Sequence, residues 1–165
     1  MPTIQPSTLE FLAQLKENNQ RDWFNEHKSW YQEEHARMVE FAEAVYAALG
    51  QTDELVPMTG KKILFRIYRD VRFSKDKRPY KAHFSGGLKR ATVWRRGGYY
   101  FHVEPGASFV GGGFWAPVSD DLKHIRREIA RDDQPLREII ADPVFVETFG
   151  ELEGEKLKTA PQGFK

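Results

Sequence analysis

A chain of 165 residues that is 40% hydrophobic and 30% charged has the size and mix of one globular domain, which excludes a disordered polymer. The absence of cysteine removes disulfides, thiolate metal sites and cysteine nucleophiles, and at a mean hydropathy of -0.62 no stretch approaches the ~18 apolar residues of a membrane span. The net charge of +1 conceals an asymmetry: residues 61–96 hold thirteen Lys/Arg and two acids, net +11, against net −10 over the rest of the chain.

The opening Met1-Pro2-Thr3-Ile4-Gln5-Pro6 lacks the charged-then-apolar pattern of a secretory signal, so a cytoplasmic location is expected. Ser7-Thr8-Leu9-Glu10 has the form of a capping box, in which the Ser7 hydroxyl accepts from the Glu10 backbone N–H and Glu10 reaches back to Ser7. Phe11, Leu12 and Leu15 then form a helical stripe that Asn18-Asn19 ends. Asn19 can cap a second segment, in which Trp23, Phe24 and His27 share a face. Tyr31, His35, Met38, Phe41, Ala42, Val45 and Leu49 recur every three or four residues, with Glu33, Glu34, Arg37, Glu40 and Glu43 on the solvated side. One helix or two over 20–49 is left open, and Gly50 is the natural C-cap.

From Ile63 the period switches to two. Ile63, Phe65, Ile67, Val71 and Phe73 alternate with polar positions and predict a first strand, followed by a polar loop from Ser74 to Pro79. A second strand is expected from Ala82 to about Trp94, bulged at Gly86-Gly87. Arg96-Gly97-Gly98 turns the chain into a third strand, Tyr99 to Glu104; Pro105-Gly106 turns it into a fourth, Ser108 to Trp115. Connections this short favour an antiparallel meander. Ser119 then caps a helix with Leu122, Ile125 and Ile129 facing inward, Pro135 opens a second helix, and Asp142-Pro143 opens a third that Gly150 ends. The expected fold is α+β: a single domain over 1–165, with helices over 7–50, an antiparallel meander of about four strands over 62–115, helices over 119–150 and an irregular tail over 151–165. The sheet is expected to pack against the N-terminal and C-terminal helices.

Two stretches carry candidate chemistry. Arg66 to Lys81 packs seven cations and two carboxylates into 16 residues. Read as an anion cradle, Arg66, Arg69, Arg72, Lys75, Lys77, Tyr80 and Lys81 bind a phosphate-bearing ligand, with Asp70 and Asp76 orienting the cations. Read structurally, the same cations pair with the acidic helices, and Arg69 on the Ile/Phe/Val face has to be paired. In the second stretch, strand alternation puts Tyr100, His102 and Glu104 on one side. His102 and Glu104 are candidate acid/base residues, with Asp70 a further catalytic candidate; the alternative is a tyrosine–histidine hydrogen-bond network. Two ligands are too few for a metal site, although His83 on the neighbouring strand could add a third; no metal and no cofactor is assigned.

Other patterns are weaker. His27 and His35 fit the core edge, and His124 lies in a charged helix. Gly111-Gly112-Gly113 is followed by no Lys-Ser/Thr, and no Gly-x-Ser-x-Gly occurs. Tyr68, Phe73, Tyr80, Phe84, Trp94, Tyr99 and Tyr100 interleave the basic segment as a single-strand nucleic-acid binder would require. Against that, alternation buries Phe73, Phe84 and Tyr99, and the pI of 7.9 is low for such a domain.

The chain resembles the bacterial conserved hypothetical proteins of domain-of-unknown-function family 2461. The matching residues are Phe11-Leu12 with Leu15, Asn18-Asn19, Arg21, Trp23-Phe24, Lys28 and Tyr31. The most specific run is Phe65-Arg66-Ile67-Tyr68-Arg69-Asp70-Val71-Arg72-Phe73-Ser74-Lys75-Asp76-Lys77, continued by Pro79-Tyr80-Lys81. Gly98-Tyr99-Tyr100, His102, Glu104, the three glycines at 111–113, Leu122, Ile125-Arg126 and the Pro161-Gln162-Gly163-Phe164 ending also fit. The resemblance covers almost the whole chain and implies no catalytic residue, but its signature coincides with both candidate stretches. Members of the family continue past the Pro-x-Gly-Phe motif, whereas this sequence stops at Lys165. The leading functional expectation is binding of an anionic small molecule. An enzyme using His102 and Glu104, a nucleic-acid binder and a structural or partner-binding domain stand as alternatives; no membrane contact is expected and the oligomeric state is open.

Overall fold

In the computed structural model, which describes residues 3–92, 96–152 and 157–164, helix α1 spans Pro6–Glu17 and opens on a proline whose missing N–H costs nothing in a first turn. The expected capping box does not form. Ser7 lies inside the helix rather than before it, the N-cap is Gln5, and the Ser7 hydroxyl accepts from Arg37 Nη1 at 2.7 Å. The stretch over 20–49 is two helices, α2 (Arg21–Glu26) and α3 (Lys28–Leu49), broken at His27, whose ring stacks on Trp23 at 4.2 Å. Asn19 does not cap α2; its side chain is used elsewhere, as described below. Gly50 ends α3 as expected, its N–H turned back to Tyr46 and Ala48.

A single helical turn, α4 (Gly60–Ile63), precedes a three-stranded antiparallel sheet of β1 (Phe84–Lys89), β2 (Gly98–Val103) and β3 (Phe109–Gly113), in that spatial order. The first of the four expected strands, over Ile63–Phe73, is absent. Ile63 closes α4, and the residues after it pair with other backbone only around the isolated bridges Leu64↔Gly86 and Tyr68↔Tyr80. Phe65 N–H bonds Ser85 at 2.9 Å, and the chain then leaves the sheet and pairs with itself: Arg69 N–H to the Pro79 carbonyl and Lys81 N–H to the Ile67 carbonyl, both 2.8 Å. Alternation recorded an extended backbone, whereas a ladder also needs a partner. Phe73, expected in the core, is 95% exposed.

β1 ends at Lys89, short of the expected limit, and Trp94 lies outside the described residues. Its glycines form no bulge: Gly86 pairs with Phe101 and Gly87 with Tyr100 in unbroken register. Gly86 is required by close approach, since a Cβ there would sit 2.5 Å from Phe101 Cζ. Phe84, Leu88, Phe101 and Val103 point to one side of the sheet, where Phe11, Leu12, Leu15, Phe24, Met38, Ala42, Ile63 and Ile67 complete the core. Phe41 meets Phe101 edge-on at 5.5 Å, so α3 lies on this face. The opposite face remains for other use.

The chain divides into two compact units, Met1–Trp115 and Ala116–Lys165. The second holds α5 (Ser119–Arg131), α6 (Gln134–Ala141) and α7 (Pro143–Phe149). Ser119 is the first helical residue of α5 rather than its cap, whereas Asp142 does cap α7, accepting from Val144 and Phe145 N–H at 2.8 and 3.2 Å. No residue of the three helices is fully buried, and Ile125 and Ile129, expected to face inward, are exposed. Among the described residues no helix is long and apolar enough to cross a membrane.

Candidate functional site

The β1–β2 register places Phe84 opposite Val103 and Ser85 opposite His102, so one position beyond the ladder His83 faces Glu104. Successive side chains on a strand leave on opposite faces, and the chain neighbours of core-facing Phe84 and Val103 therefore point away from the core. His83, Tyr100, His102 and Glu104 gather there. One nitrogen from each histidine and one oxygen of Glu104 all lie within 4.8 Å of one another. The two imidazoles are 4.1 Å apart, centroid to centroid.

His102 is held on every side. Its Nε2 lies 3.0 Å from Glu104 Oε2, its Nδ1 3.0 Å from the Tyr100 hydroxyl, and Phe109 from β3 stacks on its ring at 4.9 Å. Lys16 Nζ of α1 donates to the other Glu104 oxygen at 3.3 Å. The contacts with His102, and next those with Lys16, hold the Glu104 carboxyl below its ordinary value, so it is a carboxylate at neutral pH. The Ser108 hydroxyl donates to the Glu104 carbonyl at 2.8 Å and accepts from its N–H, closing the turn into β3. His83 differs: its ring nitrogens hydrogen-bond to no protein group among the described residues. Burial, then the charges of His102 and Lys81, push it down to about 4, so its imidazole is neutral at neutral pH.

One of the expected ligand-binding cations borders this cluster, and a second stands close to that one. Lys81 lies near His83, with Nζ 5.9 Å from the centre of the Phe65 ring. Phe65 in turn stacks on Tyr100 at 6.3 Å. Burial and the neighbouring Arg66 both lower the Lys81 pKa, so these two cations are close. Neither has a carboxylate within ion-pair distance among the described residues.

Arg69, Arg72 and Lys77 of the expected cradle are engaged inside their own loop. Arg69 Nη1 donates to Asp76 at 2.7 Å and to the Arg78 carbonyl at 3.1 Å. Arg72 grips Asp70 through Nε and Nη2 at 2.9 and 2.6 Å, and Arg78 grips Asp76 in the same way. Both acids are lowered, first by the arginine two residues on: Arg72 for Asp70 and Arg78 for Asp76. Lys77 Nζ donates to the Val71 and Arg72 carbonyls, and Lys75 is exposed. Tyr80 belongs to the core, stacked on Phe24 at 4.0 Å. The pairing partners of the loop arginines are thus Asp70 and Asp76 rather than acids of the helices. The repeated Asp-x-Arg spacing, in which each aspartate also accepts the backbone N–H two residues on, was the signal for this. Lys16 left no signal in the sequence, because its approach to Glu104 spans 88 positions.

A family model described as conserved hypothetical protein (DUF2461) matches residues 7–165. No curated protein and no solved structure matches the chain.

Proposed function

The chain belongs to the DUF2461 family of conserved hypothetical proteins, a description that assigns no activity, and from its side chains we propose that it binds an anionic, phosphate-bearing small molecule on the open face of β1 and β2. Arg66 and Lys81 supply the charge. The observation that carries this reading is the pair itself: a half-buried lysine beside an exposed arginine, with no carboxylate within ion-pair distance of either among the described residues. Placing like charges together in a partly desolvated spot is unfavourable, and an anion between them reverses the sign of that term. A guanidinium fork beside an ammonium suits phosphate oxygens, and Tyr100 and the His102 ring add further polar edges to the same face. Arg69, Arg72 and Lys77 contribute a background field, because their hydrogen-bonding groups are already used.

Inorganic pyrophosphate, titrated calorimetrically into the full chain at low salt, is the probe. Lys81→Met and Arg66→Met are each expected to weaken binding about tenfold or more, while Arg72→Met leaves it within about twofold. No measurable binding to the parent chain, or equal affinity in Lys81→Met, overturns the reading.

A further inference from the structure

We propose that His83, His102 and Glu104 form a site for one divalent transition-metal ion, zinc by its ligand chemistry, with at least one coordination position left open. The donor set is two imidazole nitrogens and one carboxylate oxygen, all on or beside adjacent strands of one sheet. That set suits zinc and its first-row neighbours, whereas calcium and magnesium favour all-oxygen shells. Three donors at about 2.1 Å from a tetrahedral ion stand roughly 3.4 Å apart, so atoms already within 4.8 Å have about 1.4 Å left to close.

The surrounding contacts set the donors in place. The Tyr100 hydroxyl at His102 Nδ1 leaves Nε2 turned toward the cluster, which is the usual way a ligating histidine is oriented. Lys16 occupies one oxygen of Glu104 and leaves the other facing His102. Phe109 fixes the plane of the His102 ring. A Tyr100–His102–Glu104 network that merely braces the sheet would explain all of these contacts, but it has no use for His83. That imidazole is half-buried, lies 4.1 Å from His102, and has nitrogens bonded to no protein group among the described residues. A third ligand accounts for it. The ion's charge would exceed that of the single carboxylate, and Arg66, Lys81 and Lys16 add more positive charge nearby, so the open position favours an anion. The metal site does not depend on the phosphate reading, but the two would reinforce each other when both ligands are present.

The test is titration of the chelator-stripped full chain with zinc chloride in phosphate-free buffer at neutral pH, read by competition with a chromophoric chelator. Cobalt(II) substitution provides a second, spectroscopic readout. The expected result is one ion per chain, with visible cobalt bands of a nitrogen and oxygen site. His83→Ala and His102→Ala are each expected to weaken binding by about a hundredfold, in line with the loss of a ligand. If His102→Ala fails to fold, His83→Ala still decides, because its ring has no hydrogen bond to lose. Equal zinc affinity in the parent chain and His83→Ala, or no cobalt spectrum, overturns the site. Zinc binding that survives Lys81→Met while pyrophosphate binding does not shows the two ligands to be held separately; zinc binding without any pyrophosphate affinity sustains the metal site and removes the phosphate reading.

Discussion

The loop over 69–78 and the open face of β1 and β2 are both rich in cations, and they use them in opposite ways. In the loop, Arg69, Arg72 and Arg78 each grip an aspartate two to seven positions away, and Lys77 is tied to carbonyls. At the sheet face, Lys81 stands beside His83 with Arg66 close to it, and among the described residues neither cation has an acid within ion-pair distance and His83 makes no hydrogen bond. Density of charge along a chain is therefore no measure of charge available to a ligand. Bidentate arginine–aspartate pairs consume their own donors, and a segment of high positive density can be locally complete.

The largest effect that would test this contrast lies where the two regions join. Asn19 clamps the end of the loop from the α1–α2 connection: its Nδ2 donates to the Tyr80 carbonyl and its Oδ1 accepts the Tyr80 N–H, each at 3.0 Å and both buried. Asn19→Ala leaves two buried backbone groups without partners, at about 1–3 kcal/mol for each group lost. Urea unfolding should therefore show a loss of roughly 2–4 kcal/mol, with some relief where water reaches the vacated space. A loss under about 0.5 kcal/mol would mean that the loop's internal pairs hold it in place unaided, and the two regions would then differ less than they appear to.

A smaller effect bears directly on availability. Asp70→Asn combined with Asp76→Asn releases Arg69, Arg72 and Arg78 from their carboxylates. The loop should then behave as the anion cradle its composition suggests, with retention on a heparin column extending to clearly higher salt and pyrophosphate binding strengthened several-fold. The thermal midpoint should fall modestly, through the half-buried Arg69–Asp76 pair, because the more exposed Arg72–Asp70 and Arg78–Asp76 pairs contribute little to folding. Unchanged heparin retention would show that pairing is not what silences the loop.

Much of this arrangement was legible in advance, and the part that was not has a physical cause. β2 was marked by turn residues on both sides and by strict alternation, and its face of Tyr100, His102 and Glu104 followed from period two alone. His83 was reachable as a neighbour once two strands were assumed to pair. The ladder over 63–73 was misread because alternation reports only that the backbone is extended; Ile63 and Ile67 are buried as expected, but Phe65 and Phe73 are not. The nearness of Lys81 to His83, and of Arg66 to Lys81, depends on where that stretch leaves the sheet and where it returns, which no local pattern specifies. The assignment of the arginines to acids of the helices followed the charge count, since only two of the 24 acids lie within 61–96. Short-range pairing prevails instead because closing a contact over two residues costs far less chain entropy than recruiting a distant helix.

That distinction between near and distant partners yields the last and smallest effect, a dependence on acid. Asp53 accepts from Arg90 Nε and Nη2, 37 positions away, and from the Tyr99 hydroxyl, and its carboxylate is only 7% exposed. The bonds from Arg90, then the one from Tyr99, hold its carboxyl at about 2. Asp70 is lowered too, but by an arginine two residues away. A folded-state value below the unfolded one gives stability that is present above the unfolded pKa, near 3.9, and is lost as pH falls through the folded value. For Asp53 most of the depression belongs to folding, because the unfolded chain cannot hold Arg90 or Tyr99 against it. For Asp70 the unfolded chain still contains Asp-Val-Arg and keeps much of the same interaction, so both states bind the proton with similar affinity and the linkage nearly cancels. Thermal midpoints followed from pH 5 down to 2 should therefore fall less steeply in Asp53→Asn than in the parent chain, with the curves separating below about pH 4. Asp70→Asn should run parallel to the parent over the same window. Equal flattening in both variants would mean that the loop pair, like the sheet pair, is assembled only by folding.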